Sequence, residues 1–142
     1  EKKRDSLYDK IIASATAYSI ILIDNEEIDR LNILNATFKG MCDAVADLSV
    51  TADYVLIDGN RIKGLEIPHQ CGVKGDGKSF SIAAASILAK VTRDRFMADM
   101  DEKYPQYQFE KHKGYPTKLH YEMLERHGAC PIHRRSFRLY AK

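Results

Sequence analysis

The chain has 142 residues, 44% of them apolar and 30% charged, with a formal net charge of +2. Those values suit one compact globular domain spanning residues 1–142. No apolar run approaches the ~20 residues that cross a bilayer, so no membrane partner is expected. A charge of +2 is too small to argue for nucleic acid by itself, although the C-terminal part is basic. Cys42, Cys71 and Cys130 are far apart and form no C-x-x-C pair, which predicts free thiols in a cytoplasmic protein. The chain opens Glu1-Lys2-Lys3-Arg4-Asp5, which is no signal peptide. It begins without Met and in mid-pattern, so a fragment of a longer protein is expected.

An amphipathic helix is predicted from about Lys3 to Ser14, with Leu7, Tyr8, Ile11, Ile12 and Ala15 on one face. Ala17–Ile23 reads as a short strand ending in Asp24. Asn25 then caps a turn or short helix through Arg30. A long helix is expected from about Ile33 to Leu48, where Leu34, Phe38, Met41, Val45 and Leu48 keep helical spacing. Tyr54–Ile57 reads as a buried strand that delivers Asp58 at its C-terminal end. Glu66–Val73 suits an edge strand, because Pro68 cannot donate in a central one. A helix follows from Ser81 to about Tyr104, stopping before Pro105. The last helix starts at Pro116-Thr117 and stops at Gly128, a suitable C-terminal cap. Helices alternating with two buried strands imply a parallel α/β core.

Three carboxylates stand out. Asp24 precedes Asn-Glu-Glu and reads best as a turn or cap residue. Asp58 follows four apolar residues, so burial would be costly without a cation or donors. Asp94 lies on the helix, four residues after Lys90 and on the same face. A strand-end carboxylate opposite one on a helix is a common way to build a hard-cation site. The plainer readings are a turn-forming Asp before Gly59 and a salt bridge from Asp94 to Lys90 or Arg93.

Gly72–Ser79 matches the P-loop pattern G-x-x-x-x-G-K-[ST], and a helix follows it. Against a nucleotide hydrolase, residues 67–71 are poor for a central strand. The strand bearing Asp also precedes the loop, whereas P-loop enzymes carry it after. Lys111–Thr117 sets basic residues beside Tyr115 at a helix start, which suits phosphate and a stacked ring, or only a solvated loop. His133-Arg134-Arg135-Ser136-Phe137-Arg138 adds a basic cluster that could be merely a charged tail. His69, His112, His120, His127 and His133 show no zinc spacing. His120 and His127 are expected at the surface or core edge.

Taken together, Ile28–Leu34, Tyr54–Asn60, Val73–Asp76, Ala84–Asp94, His112–Thr117 and His133–Phe137 resemble the motifs of ribonuclease HII, in order and along nearly the whole chain. The resemblance implies a ribonuclease H-like α/β fold, a mixed central sheet flanked by helices. It also makes the P-loop match accidental. It implies an endonuclease that cuts the RNA strand of RNA–DNA hybrids and nicks 5′ to ribonucleotides embedded in duplex DNA. Mg2+ or Mn2+ would be held by four carboxylates, of which Asp58 and Asp94 match two. Tyr115 matches the tyrosine that stacks on the junction deoxyribose, and Lys113, Arg134 and Arg135 are expected along the phosphates.

The family's N-terminal Asp-Glu-x-Gly-Arg-Gly motif is absent here, and with it the other two carboxylates, the first strands and the reader of the 2′-hydroxyl. The fold is therefore expected to be incomplete, and the chain inactive alone. It is expected to self-associate, to retain a cleaved N-terminal piece or to be marginally stable. The alternatives are a non-catalytic nucleic-acid-binding module and the P-loop hydrolase.

Overall fold

The structure is a computed structural model and describes residues 2–72 and 79–136. It falls into two compact units. One comprises Glu1–Leu22 and Leu34–Val91, the other Ile23–Ile33 and Thr92–Lys142.

The first unit contains α1 (Lys2–Ser14), most of α3 (Ile33–Asp47), the strands β1 (Val55–Leu56) and β2 (His69–Gln70), and the first half of α4 (Phe80–Lys103). Ala36 and Phe38 of α3, Ile57, and Ile82, Leu88 and Val91 of α4 are buried, whereas Leu34 of the expected apolar face is exposed. The strands pair in parallel, Val55 with His69 and Leu56 with Gln70. The ladder continues as Ile57 N–H donates to Gln70 O at 2.9 Å.

The expected strand at Ala17–Ile23 does not form; residues 15–24 belong to no helix or ladder. A helix closes its hydrogen bonds locally, but a strand needs a neighbour, and none pairs here among the described residues. The segment is held instead by Ser19 Oγ, which donates to Asp47 Oδ2 at 2.8 Å. The Tyr54–Ile57 strand is only half-buried. Ile57 is 4% exposed, but Tyr54 and Leu56 are 55% and 38% exposed, so one face of the pleat is covered and the other open.

The second unit contains α2 (Asn25–Leu31), the second half of α4, a 3₁₀ turn at Pro105–Tyr107, α5 (Phe109–His112) and α6 (Lys118–His127). Pro105 stops α4 as expected, but the turn and α5 that follow have no sequence signature. Asp24, not Asn25, caps α2, its carboxylate accepting from Glu27 N–H at 2.8 Å. Thr117 caps α6 by accepting from His120 N–H, and Gly128 closes it at φ +70°. Met97, Tyr107, Phe109, Met123 and Cys130 form the core of this unit. Tyr107 stacks on Phe109, with ring centroids 5.3 Å apart, and its hydroxyl donates to Gly128 O at 2.6 Å. The three cysteines are free thiols.

Candidate functional site

Asp58 leaves β1 on the face opposite Ile57, because side chains alternate along a strand. Its carboxylate is exposed at the C-terminal end of the parallel pair. Asp94 sits on α4, half-buried, and forms no ion pair with Lys90 or Arg93. Oxygen donors of this kind suit magnesium or manganese. They are right in kind and short in number: among the described residues, no three His, Cys, Asp or Glu side chains converge to hold a metal ion.

Tyr115 is presented by a docked loop. Lys113 and Gly114 both adopt positive φ, +54° and +83°. A Cβ on Gly114 would lie 3.2 Å from Arg93 Nη2 and 3.4 Å from Met97 Cε, so the loop lies close against α4, and its positive φ favours glycine. Arg93 Nη2 donates to Lys113 O at 3.0 Å, and the guanidinium carbon lies 5.4 Å from the Tyr115 ring centroid. The ring remains 58% exposed. The structure thus brings Lys113, Tyr115 and the helix segment bearing Asp94 together. The sequence offers Arg93 only as a salt-bridge partner for Asp94, whereas in the structure it braces the Tyr115 loop instead.

The basic C-terminal segment is clamped by α2. Asp29 accepts from Arg135 N–H at 2.7 Å, Ser136 N–H at 3.0 Å and Ser136 Oγ–H at 2.6 Å. Asn25 Nδ2 donates to Pro131 O at 2.8 Å and His133 O at 3.1 Å. The Ser136 hydroxyl, then its backbone N–H, hold the Asp29 carboxyl below its ordinary range, and Arg135 N–H and the Arg134 charge add to this. Arg134 and Arg135 are therefore anchored through the backbone beside them rather than carried on a loose tail. Asn25 and Asp29, both missed as functional residues, are four apart on α2 and so share one face. Phe137 and Arg138 lie outside the described residues, as do residues 73–78 of the P-loop match.

His127 is exposed, as expected, but His120 is buried with His112 and His133 rather than at the surface or core edge. His112 and His120 stack with centroids 4.1 Å apart, and the Nε2 atoms of His120 and His133 are 2.9 Å apart. Burial lowers all three pKa values, that of His133 to about 4. The helical pattern of α6 missed this because its apolar face contains His120, next to Met123 and Leu124 on the same side.

Residues 1–140 match the family model described as ribonuclease HII. The chain belongs to the ribonuclease HII family. It is 51% identical over 136 residues to the ribonuclease HII of Caldicellulosiruptor bescii, covering 96% of this chain and 66% of that protein. It is 53% identical over 137 residues to that of Clostridioides difficile, covering 96% of this chain and 54% of the relative. The chain therefore spans less than two-thirds of the length of these ribonuclease HII relatives. Among solved structures, ribonuclease H2 from Pyrococcus horikoshii matches with a TM-score of 0.77 at 25% identity, over 97% of this chain and 73% of that one. The fold is thus ribonuclease H2-like, as the sequence implied, with a two-stranded parallel sheet among the described residues. No helix among them is long and apolar enough to cross a membrane.

Proposed function

We propose that this chain is the part of a ribonuclease HII that carries two of its metal-binding carboxylates and the residue that reads the nucleic-acid junction. The complete enzyme hydrolyses the RNA strand of RNA–DNA hybrids. It also nicks 5′ to a ribonucleotide embedded in duplex DNA, acting in the cytoplasm. The observation that carries this reading is the Tyr115 loop. An exposed aromatic ring, backed by Arg93 and set by two positive-φ residues, is a rigid platform for a sugar face. The ring stays 58% exposed on this constrained backbone, which leaves one face free for a sugar.

In this mechanism Tyr115 stacks on the deoxyribose next to the ribonucleotide and sets the register of the strand. Lys113, Arg134 and Arg135 meet phosphates, which gives affinity but no sequence preference. Asp58 and Asp94 supply two of the four oxygen-donor side chains for Mg2+ or Mn2+. The other two belong to the family's Asp-Glu-x-Gly-Arg-Gly segment, which this chain lacks. When bound, such cations activate water and stabilise the leaving 3′-oxygen. Two carboxylates alone leave a cation mostly hydrated, so the 142-residue chain is inactive by itself. The same Tyr115 and arginines would serve a module that binds without cutting, and catalysis separates the two readings.

The test extends the chain at its N-terminus to the length of its relatives and assays a DNA duplex carrying one ribonucleotide. Cation-dependent nicking 5′ to that residue is expected, and Asp58→Asn should abolish it by removing a metal ligand. Near-normal activity of Asp58→Asn under the same metal rejects Asp58 as a ligand. Binding without cleavage by the extended protein selects the non-catalytic reading.

A further inference from the structure

The buried histidines touch the Tyr115 loop at two backbone atoms. Gly114 N–H donates to His112 Nδ1 at 3.1 Å, and His120 Nδ1 lies 2.9 Å from Tyr115 O. His112 Nε2 lies 2.8 Å from Tyr107 O, and Cys130 N–H donates to His133 Nδ1 at 2.9 Å.

These contacts determine the proton on each ring. A nitrogen that accepts from an amide N–H carries no proton, and one that faces a carbonyl oxygen must carry one. His112 is therefore bare at Nδ1 and protonated at Nε2. His120 is protonated at Nδ1. His133 is bare at Nδ1, so its proton is on Nε2 and is donated to the bare Nε2 of His120. Every ring nitrogen then has a partner with all three imidazoles neutral. The relay runs from Cys130 N–H through His133 and His120 to Tyr115 O. His112, stacked on His120, holds Gly114 from its N–H side.

We propose that His112, His120 and His133 are positioning residues: a neutral hydrogen-bonded relay beneath the Tyr115 loop that fixes where the Tyr115 ring meets the junction sugar. The inference rests on the reading of Tyr115 given above. A proton added to the bare nitrogen of any ring would set donor against donor, with Gly114 N–H, His133 Nε2–H or Cys130 N–H. At His112 the opposed donor belongs to the loop itself; at His120 and His133 the clash breaks the relay behind the loop. The charged and titratable groups facing the relay are Asp101 towards His112, Arg135, the buried Cys130 thiol and the Tyr107 ring towards His133, and the three imidazoles themselves. Burial and mutual repulsion among the rings both favour the neutral state.

The experiment uses the N-terminally extended enzyme and a duplex with one ribonucleotide. Imidazole 15N shifts at neutral pH should show these three rings neutral, two as the Nε2–H tautomer and His120 as the Nδ1–H tautomer. His120→Leu should lower kcat/KM by about tenfold or more. His120→Asn, whose amide can donate to Tyr115 O, should recover most of it. In a Tyr115→Ala background, His120→Leu should cost less than about twofold, because the ring it positions is gone. If His120→Leu does not fold, His120→Gln runs the same cycle, since its longer amide leaves Tyr115 O without the Nδ1-like donor. Equal losses with and without Tyr115, or a charged relay at neutral pH, overturn the inference alone. A Tyr115→Ala enzyme of normal activity overturns the Tyr115 reading and this inference together.

Discussion

Among the described glycines, Gly114 has the closest surroundings. Its φ of +83° is strained for any residue with a Cβ, and the added atom would press on Arg93 and Met97. Gly114→Ala should therefore cost about 1–3 kcal/mol, visible as a lowered denaturant midpoint. The loop would move as well, so nicking in the extended enzyme should fall further than the folded fraction does. Tyr115→Ala should do the reverse. The ring is largely exposed, so thermal stability should be nearly unchanged while junction cleavage slows. A variant that loses stability but cuts normally per folded molecule would show that Tyr115 serves the fold.

At the scale of elements, α2 acts as a clamp on the C-terminal segment. Its three hydrogen bonds to Asp29 join residues more than a hundred positions apart. Asp29→Ala should free Arg135 and Ser136 and weaken duplex binding several-fold with little change in the helices; circular dichroism and a binding titration distinguish these effects. The Asp29 carboxyl is held below its ordinary pKa by the same bonds. The clamp is thus complete above the normal carboxylate range and is lost only as pH falls through that depressed value. Arg135→Ala should lower the dependence of log affinity on log salt by roughly one unit if the side chain meets a phosphate. An unchanged slope would place Arg135 off the nucleic acid.

For the whole molecule, the histidines make stability pH-dependent. A histidine with a lower pKa in the folded chain takes up its proton preferentially in the unfolded chain. Its contribution is complete above the ordinary value of 6.5 and declines as pH falls towards the folded value, about 4 for His133. Over that window the buried, mutually repelling histidines lower stability by an amount on the order of 3 kcal/mol. Denaturant midpoints measured between pH 7.5 and 4 should fall accordingly; a flat profile would contradict the buried neutral state. The 142-residue chain also leaves Tyr18, Leu22, Tyr54 and Leu56 exposed in its first unit. Apolar segments with unpaired backbone recruit other chains, so sedimentation should show self-association or denaturation should show marginal stability. A stable monomer would refute this.

The sequence by itself determined the elements whose hydrogen bonds close within a few residues. Helical spacing marked α1 and α3, Pro105 marked the end of α4, Thr117 and Gly128 bounded α6, and the ordered motifs from Ile28 to Phe137 named the family. Only the tertiary structure decided the rest, because it depends on partners distant in sequence. A strand exists only where another pairs with it, so Val55–Leu56 formed against His69–Gln70 and Ala17–Ile23 did not form. The burial of His120 is set by His112 and His133, which arrive from outside its own helix. The Asp29 clamp and the seating of Arg93 against Gly114 and Tyr115 likewise join separate segments. Local periodicity reports which face of a helix is apolar; it carries no information about which side chain from elsewhere will be laid against that face.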